Sequence, residues 1–249
     1  HLQGPLTIGA ETTIYPGAAL GYEPQDYKFT PGMETAGVKI GERCLIRECV
    51  TVHAATNTHT PTTVGDDCYL MAYSHAGHDC VLGNRVILVN FVGLSGHITI
   101  GDGATLSGHV GVHQFVRIGR LAFLSGGASV GMDVPPFFMA NERQRMGGVN
   151  LVGMRRAGMA RDEITRVRQV FRDFFRVPCT RQEMLEGLRE RSQGSPAVTE
   201  IAEFVVGTKR GICAGLGKPP RTLTTWLHRL RRGQVSFLDI DNESDTPHA

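Results

Sequence analysis

Five of the ten histidines of this 249-residue chain fall between residues 75 and 113: His75, His78, His97, His109 and His113. One of them, His78, is followed directly by Asp79. An imidazole oriented by a carboxylate takes a proton from a hydroxyl near neutral pH, and a glycine N–H such as that of Gly96 can stabilise a developing oxyanion. Brought together, these groups would supply a base, an orienting partner and an oxyanion donor. Two other readings are open for the same residues. They could be polar surface or subunit-contact residues without chemistry, or ligands of a metal ion. His109 and His113 are four apart, which would aim both at one ion on an α-helix but does not do so on a β-strand.

Whether these residues meet depends on the elements that carry them, and those are readable. From Thr62 to Asp133 the chain repeats every six residues, beginning TTVGDD, CYLMAY, SHAGHD, CVLGNR. The third place holds Val64, Leu70, Ala76, Leu82, Leu88, Leu94, Ile100, Leu106, Val112, Ile118, Leu124 and Val130, all apolar. The first place is small or β-branched in nearly every hexad, and glycine often follows the third. Such hexapeptides are the signature of a parallel β-helix, in which three strand-and-turn sides make an eighteen-residue coil. The β-branched residues suit the strands, and the glycines are expected to suit tight corners. A residue eighteen positions on then lies one coil higher, about 4.8 Å away. His78 therefore sits below Gly96 and Gln114, and Asp79 below His97 and Phe115. One corner of two adjacent coils gathers His78, Asp79, Gly96 and His97.

Two earlier coils run from Leu6 to Glu23 and from Val38 to Ala55, so eighteen hexads make six coils within residues 1–136. Excursions at 24–37 and 56–61 interrupt the period, and excursions from a solenoid commonly carry binding. The period stops at Val134-Pro135-Pro136, where paired prolines are expected to end the strand ladder. A connector over 137–158 leads to a helical domain at 159–232. Ile164, Val167, Phe171, Phe174 and Phe175 make one apolar stripe; Thr180 with Glu183 reads as a capping box, and Ser195-Pro196 as a helix start. Thr222–Arg232 is a further short helical candidate, and the composition of 233–249 predicts a disordered tail.

The net charge of +2 and the ordinary apolar content predict a soluble protein, with no nucleic-acid partner. No run approaches the roughly 20 apolar residues of a membrane helix, so no membrane insertion is expected. The first residues do not resemble a signal peptide. Six cysteines form no CxxC pair and no zinc spacing, and Cys44, Cys68 and Cys80 occupy first places of hexads. Buried, reduced thiols in a cytosolic protein are expected.

The runs Ile40–His53 (IGERCLIRECVTVH), Leu70–Asn84 (LMAYSHAGHDCVLGN), Val112–Phe115 (VHQF), Asp133–Pro136 (DVPP) and Gly148–Gly158 (GVNLVGMRRAG) together resemble the UDP-N-acetylglucosamine O-acyltransferase family. The likeness covers about residues 5–212. It implies a left-handed β-helix with a C-terminal α-helical domain, a cytoplasmic homotrimer, and no cofactor or metal. The activity implied is transfer of a 3-hydroxyacyl chain from acyl carrier protein to the 3-hydroxyl of UDP-N-acetylglucosamine, the first step of lipid A biosynthesis. His78 would then be the general base, Asp79 its orienting partner and Gly96 the oxyanion donor. His75, His97, His113 and Gln114 match residues around the sugar nucleotide and acyl donor. Gln25 and Asp26 match a pair near the acyl 3-hydroxyl and sugar, while Lys28 and His53 match groups near the phosphates. Asn150 and Arg156 match residues that bind nucleotide or the donor arm, and Gly126 matches the cap of the acyl pocket, where glycine leaves room for a longer chain.

Basic residues of the helical end, Arg166, Arg168, Arg172, Lys209 and Arg210, form a face suited to the acidic carrier protein. The sequence also departs from the family. Val152 stands where glutamate is usual and Ala157 where a second arginine follows Arg156, Ala140-Asn141-Glu142 replaces a stretch with glycine in third place, and about three further coils implied ahead of Leu6 are not contained in it. Those departures leave open a different amino-sugar acceptor or a non-catalytic scaffold; a related acyltransferase with another acyl donor or acceptor and a zinc hydrolase on the same fold are further alternatives.

Overall fold

A computed structural model describes residues 1–177, 179–213 and 215. Its strands build three faces. The first stacks Leu6–Ile8, Val38–Ile40, Thr62–Val64, Val81–Leu82, Thr99–Ile100 and Arg117–Ile118. The third stacks Ala19–Tyr22, Thr51–His53, His75–Ala76, Gly93–Leu94, Gly111–Val112 and Ser129–Val130. Between them in chain order lies the second, from Thr13–Ile14 to Phe123–Leu124. Pairing within these coils is parallel, and in the uninterrupted stretch its register is the eighteen-residue step, as in Val81 with Thr99 and Ile87 with Thr105. The result is a left-handed parallel β-helix followed by helices.

The hexad explains which side chains go inside. First- and third-place residues such as Val86 and Leu88, or Ile98 and Ile100, are buried, while second-place residues between them face outward. Each buried Leu, Ile or Val stabilises by roughly 1.5–3 kcal/mol, and stacking repeats that contribution coil by coil. Cys44, Cys68 and Cys80 are buried first-place thiols, each donating to a carbonyl of a later hexad.

The corners differ from the sequence expectation. The left-handed backbone angle falls on the sixth place and mostly on non-glycine residues, among them Asp67 (φ 57), Asp79 (φ 59), Arg85 (φ 55) and His97 (φ 62). The fourth-place glycines are needed for a different reason, the close approach of neighbouring coils. A Cβ on Gly65 would lie 2.6 Å from the Gly83 carbonyl carbon, and one on Gly101 would lie 2.6 Å from Arg120 N. Stacking distance, not turn geometry, selects glycine there.

Nor does the ladder end at the prolines. Val134 still bridges to Ile118, Phe138–Asn141 pairs in parallel with Phe123–Leu124, and an antiparallel hairpin to Arg145–Val149 extends the second face. Pro135 and Pro136 sit at a corner, where Gly119 backs closely onto Pro136 and the next ladder bond is made by Phe137 N to Arg120 O. A missing N–H costs little at such a place. The connector is thus a strand, a hairpin and a short helix, α1 (Leu151–Arg156).

Helix α2 (Arg161–Val170) runs into a π-helical turn, Phe171–Phe175, followed by α3 (Arg181–Ser192) and α4 (Pro196–Val206). The Thr180–Glu183 capping box and the Ser195 cap with proline in the first turn are both formed. These helices close the last coil. Phe138 meets Phe171 and Phe175 edge-on at 5.0 and 4.8 Å, Arg120 pairs with Glu200 at 2.8 Å, and Arg117 lies over the Phe204 ring. The candidate helix at Thr222–Arg232 and the tail at 233–249 lie outside the described residues.

Candidate active site

The corner after the third face holds the histidine cluster. His78 Nδ1 lies 2.8 Å from Asp79 Oδ2, with side chains only 13% and 7% exposed. Because an ionised carboxylate only accepts, Nδ1 carries the proton, and in the neutral ring Nε2 is the atom with the lone pair. One coil above, Gly96 stacks directly on that ring: a Cβ there would lie 2.6 Å from His78 Nε2. His97 N donates to His78 O, the His97 ring packs edge-on to His78 at 5.1 Å, and Phe115 stacks on His97 at 4.6 Å. The eighteen-residue rule therefore places all four corner residues as expected from the sequence.

Gly96 leaves its N–H open. At the corner after the first face, the corresponding N–H groups of Glu42, Asp66 and Asn84 donate to side-chain oxygens of Asp66, Asn84 and Asp102. Gly96 N–H has no such acceptor among the described residues. It borders a cleft of about 650 Å³ also lined by Gln25, His75, His78, His113 and Gln114. Gly93 and Gly111 occupy outward strand positions in successive coils, where a Cβ would meet nothing within 4 Å, so the cleft runs up the third face as a trough towards Arg143 and Gln144.

Asp79 is more tightly held than its spacing suggests. Its carboxylate accepts from Thr56 N at 3.1 Å, Thr56 Oγ1 at 2.7 Å and Asn57 Nδ2 at 2.9 Å, besides His78. Its own N–H donates to Thr62 Oγ1. Burial would raise its pKa, but the hydrogen bonds from His78 and Thr56 and the nearby His97 ring outweigh that and hold it below the usual carboxylate range. His75 moves the other way: burial first, then His53 and His78, push it down to about 4, so it stays neutral at physiological pH. Its Nδ1 meets Thr51 Oγ1 at 2.7 Å.

His78, Asp79 and His97 offer ligand atoms within 4.8 Å of one another. The donor set fits an oriented base better than a metal. Four hydrogen bonds already occupy the roughly four acceptor sites of the Asp79 carboxylate, and a cation would have to displace them.

The remaining sequence-derived candidates lie elsewhere on the chain. His53 flanks the cluster, edge-on to His75 at 5.4 Å, with Nδ1 2.7 Å from Glu23 O. Asp26 accepts from Lys28 N within the first excursion, and Lys28 is exposed. Asn150 caps α1, accepting from Gly153 N and donating to Leu121 O. Arg156 ends that helix, exposed, and Gly126 is an exposed corner residue where a Cβ would make ordinary contacts to Gly108 O and Ser107 Oγ. Asp26, Lys28, Asn150, Arg156 and Gly126 do not line the cleft of the single chain.

Sequence reasoning missed Thr56, Asn57 and Thr62 as partners of Asp79. The excursion at 56–61 breaks the hexad, so the stacking rule cannot place its residues. Gly93 and Gly111 were legible, since both stand in second place eighteen residues apart.

Fold and site together define an acyltransferase of the hexapeptide-repeat class. The family described as bacterial transferase hexapeptide matches residues 61–96, and that described as UDP N-acetylglucosamine O-acyltransferase, domain 2, matches residues 133–213. An acyl-acyl-carrier-protein–UDP-N-acetylglucosamine O-acyltransferase of Synechocystis sp. is 42% identical, covering 82% of this chain and 73% of its own. The crystal structure of the Francisella novicida UDP-N-acetylglucosamine acyltransferase matches with a TM-score of 0.78 at 32% identity, covering 87% of this chain and 86% of its own. That of the Bacteroides fragilis enzyme gives 0.79 at 32% identity, covering 85% and 82%. This chain belongs to the UDP-N-acetylglucosamine O-acyltransferase family.

Proposed function

We propose that the chain transfers a 3-hydroxyacyl group from acyl carrier protein to the 3-hydroxyl of UDP-N-acetylglucosamine, the first step of lipid A biosynthesis. The observation that carries this is the His78–Asp79 pair set against the open N–H of Gly96. The sugar hydroxyl gives its proton to His78 Nε2 as its oxygen forms a bond to the thioester carbonyl carbon. Charge builds on the carbonyl oxygen, where Gly96 N–H donates. Collapse breaks the carbon–sulfur bond, and the imidazolium returns the proton to the departing thiolate. Product is the 3-O-acylated sugar nucleotide and free carrier-protein thiol; no cofactor enters the balance.

His75, His97, His113, Gln114 and Gln25 border the space for acceptor and acyl chain. Asp26, Lys28, His53, Asn150, Arg156 and Gly126 act from the surfaces that meet across copies in a homotrimer, with Lys28 and Arg156 available for the diphosphate. The positive charge of the helical end, carried by Arg166, Arg168, Arg172, Lys209 and Arg210, attracts the acidic carrier protein. Among the described residues no helix is long and apolar enough to cross a membrane. The proposed reaction, with a carrier protein as acyl donor, is a cytoplasmic one. Incubation with 3-hydroxyacyl carrier protein and UDP-N-acetylglucosamine, followed by mass spectrometry, tests the reading. A product heavier than the sugar nucleotide by one hydroxyacyl group is expected, and its absence with folded protein contradicts it.

A further inference from the structure

Asn57 uses the two ends of its amide for two different tasks. Oδ1 accepts from His59 N at 2.9 Å and Thr60 N at 2.8 Å, closing the second excursion on itself. Nδ2 reaches out to Asp79 Oδ1 at 2.9 Å, with a weaker contact to Thr60 O at 3.2 Å. Thr56 adds its N–H and hydroxyl to the same carboxylate. This excursion is in turn tied to the one that bears Gln25. Ala36 N donates to Asn57 O at 2.7 Å, and Ala55 N and Thr62 N both donate to Gly37 O.

We propose that Thr56 and Asn57 are positioning residues for the transfer reaction. They hold the Asp79 carboxylate ionised and turned so that one oxygen faces His78 Nδ1, which fixes the ring with Nε2 as base. They act from a loop fastened to the excursion that carries cleft residue Gln25. The proposal rests on the assignment of His78 as base.

Asn57→Asp separates this role from a merely structural one. Aspartate keeps the Oδ1 acceptor that closes the loop, but it removes the donor to Asp79 and sets a second carboxylate beside it. Two carboxylates sharing a site raise one another's pKa. The second carboxylate should lower the melting temperature by a few degrees at neutral pH, while KM for both substrates should change less than about twofold. The kcat should fall about tenfold to a hundredfold, part of what a positioned base supplies, and the acid limb of its pH profile should move up. Thr56→Val should lower kcat in the same way, and Thr56→Ser should restore it.

An unchanged kcat and acid limb in Asn57→Asp, or a Thr56→Ser no better than Thr56→Val, overturns the proposal. If Asn57→Asp fails to fold, the Thr56 pair decides alone. His78→Ala in the same assay keeps the two claims apart: turnover there at the wild-type rate defeats the base assignment, whereas an inactive His78→Ala beside an unimpaired Asn57→Asp defeats only this inference.

Discussion

Two corners of the same coil carry the same backbone turn to opposite ends. After the first face, Gly65-Asp66-Asp67 and Gly83-Asn84-Arg85 turn through a left-handed sixth residue, and each fifth-place N–H is taken by an oxygen from the next coil. After the third face, Gly77-His78-Asp79 and Ser95-Gly96-His97 turn the same way, yet the fifth-place N–H of Gly96 is left open above an imidazole. In these two turns the first corner satisfies its fifth-place N–H groups, which ties neighbouring coils together. The second leaves a donor and a lone pair unspent at the edge of a cleft. In a solenoid the fold costs each corner about the same, so function is written by which fifth- and sixth-place side chains occupy it.

The largest expected break in that contrast is His78→Ala, which removes the base and should lower kcat by about 10²–10⁴-fold without moving the thermal transition, measured by turnover and circular dichroism. At the other corner, Asn84→Ala strips the acceptor from Asp66 N–H. A loss of about 1 kcal/mol in denaturant unfolding with kcat preserved is expected there. The third effect concerns His75 and grows only as the solution is acidified. Its folded pKa of about 4 lies below the ordinary imidazole value of 6.5, so the unfolded chain takes up a proton first as the solution is acidified. Stability from this group is complete above pH 6.5 and is lost as pH falls towards 4. Urea midpoints should decline across that window, and less steeply in His75→Gln.

Much of this was legible in the residues, and the part that was not has physical causes. Apolar third places fixed the coil, and adding eighteen put Gly96 on His78 and His97 on Asp79 without any structure. The same arithmetic failed wherever the period broke. Thr56 and Asn57 reach Asp79 from an excursion whose path no repeat dictates. Glycine after the third place was legible as a requirement, but its reason was misread: the left-handed angle belongs to residues such as Asp79 and His97, and Gly65 and Gly101 answer to the neighbouring coil. Paired prolines read as a stop, whereas the first face ends there and no further strand of it is left to accept from those positions, so Phe138 could resume the ladder on the second face. Asn150 and Arg156 do not line the cleft of the single chain, and no stacking rule could place them because both lie beyond the repeat.

The most direct measurement pairs one alanine at each corner. In Gly96→Ala the new Cβ would press on His78 Nε2, while in Gly83→Ala it would press on Asp102 and its backbone N. Turnover and thermal unfolding of both variants should dissociate. Gly96→Ala should lose about 10²–10³-fold in kcat with little change in unfolding temperature, as expected for a displaced base and oxyanion donor. Gly83→Ala should unfold several degrees earlier while its folded fraction keeps wild-type kcat. A Gly96→Ala that turns over normally, or a Gly83→Ala as inactive as Gly96→Ala, would contradict the assignment of chemistry to the third-face corner alone.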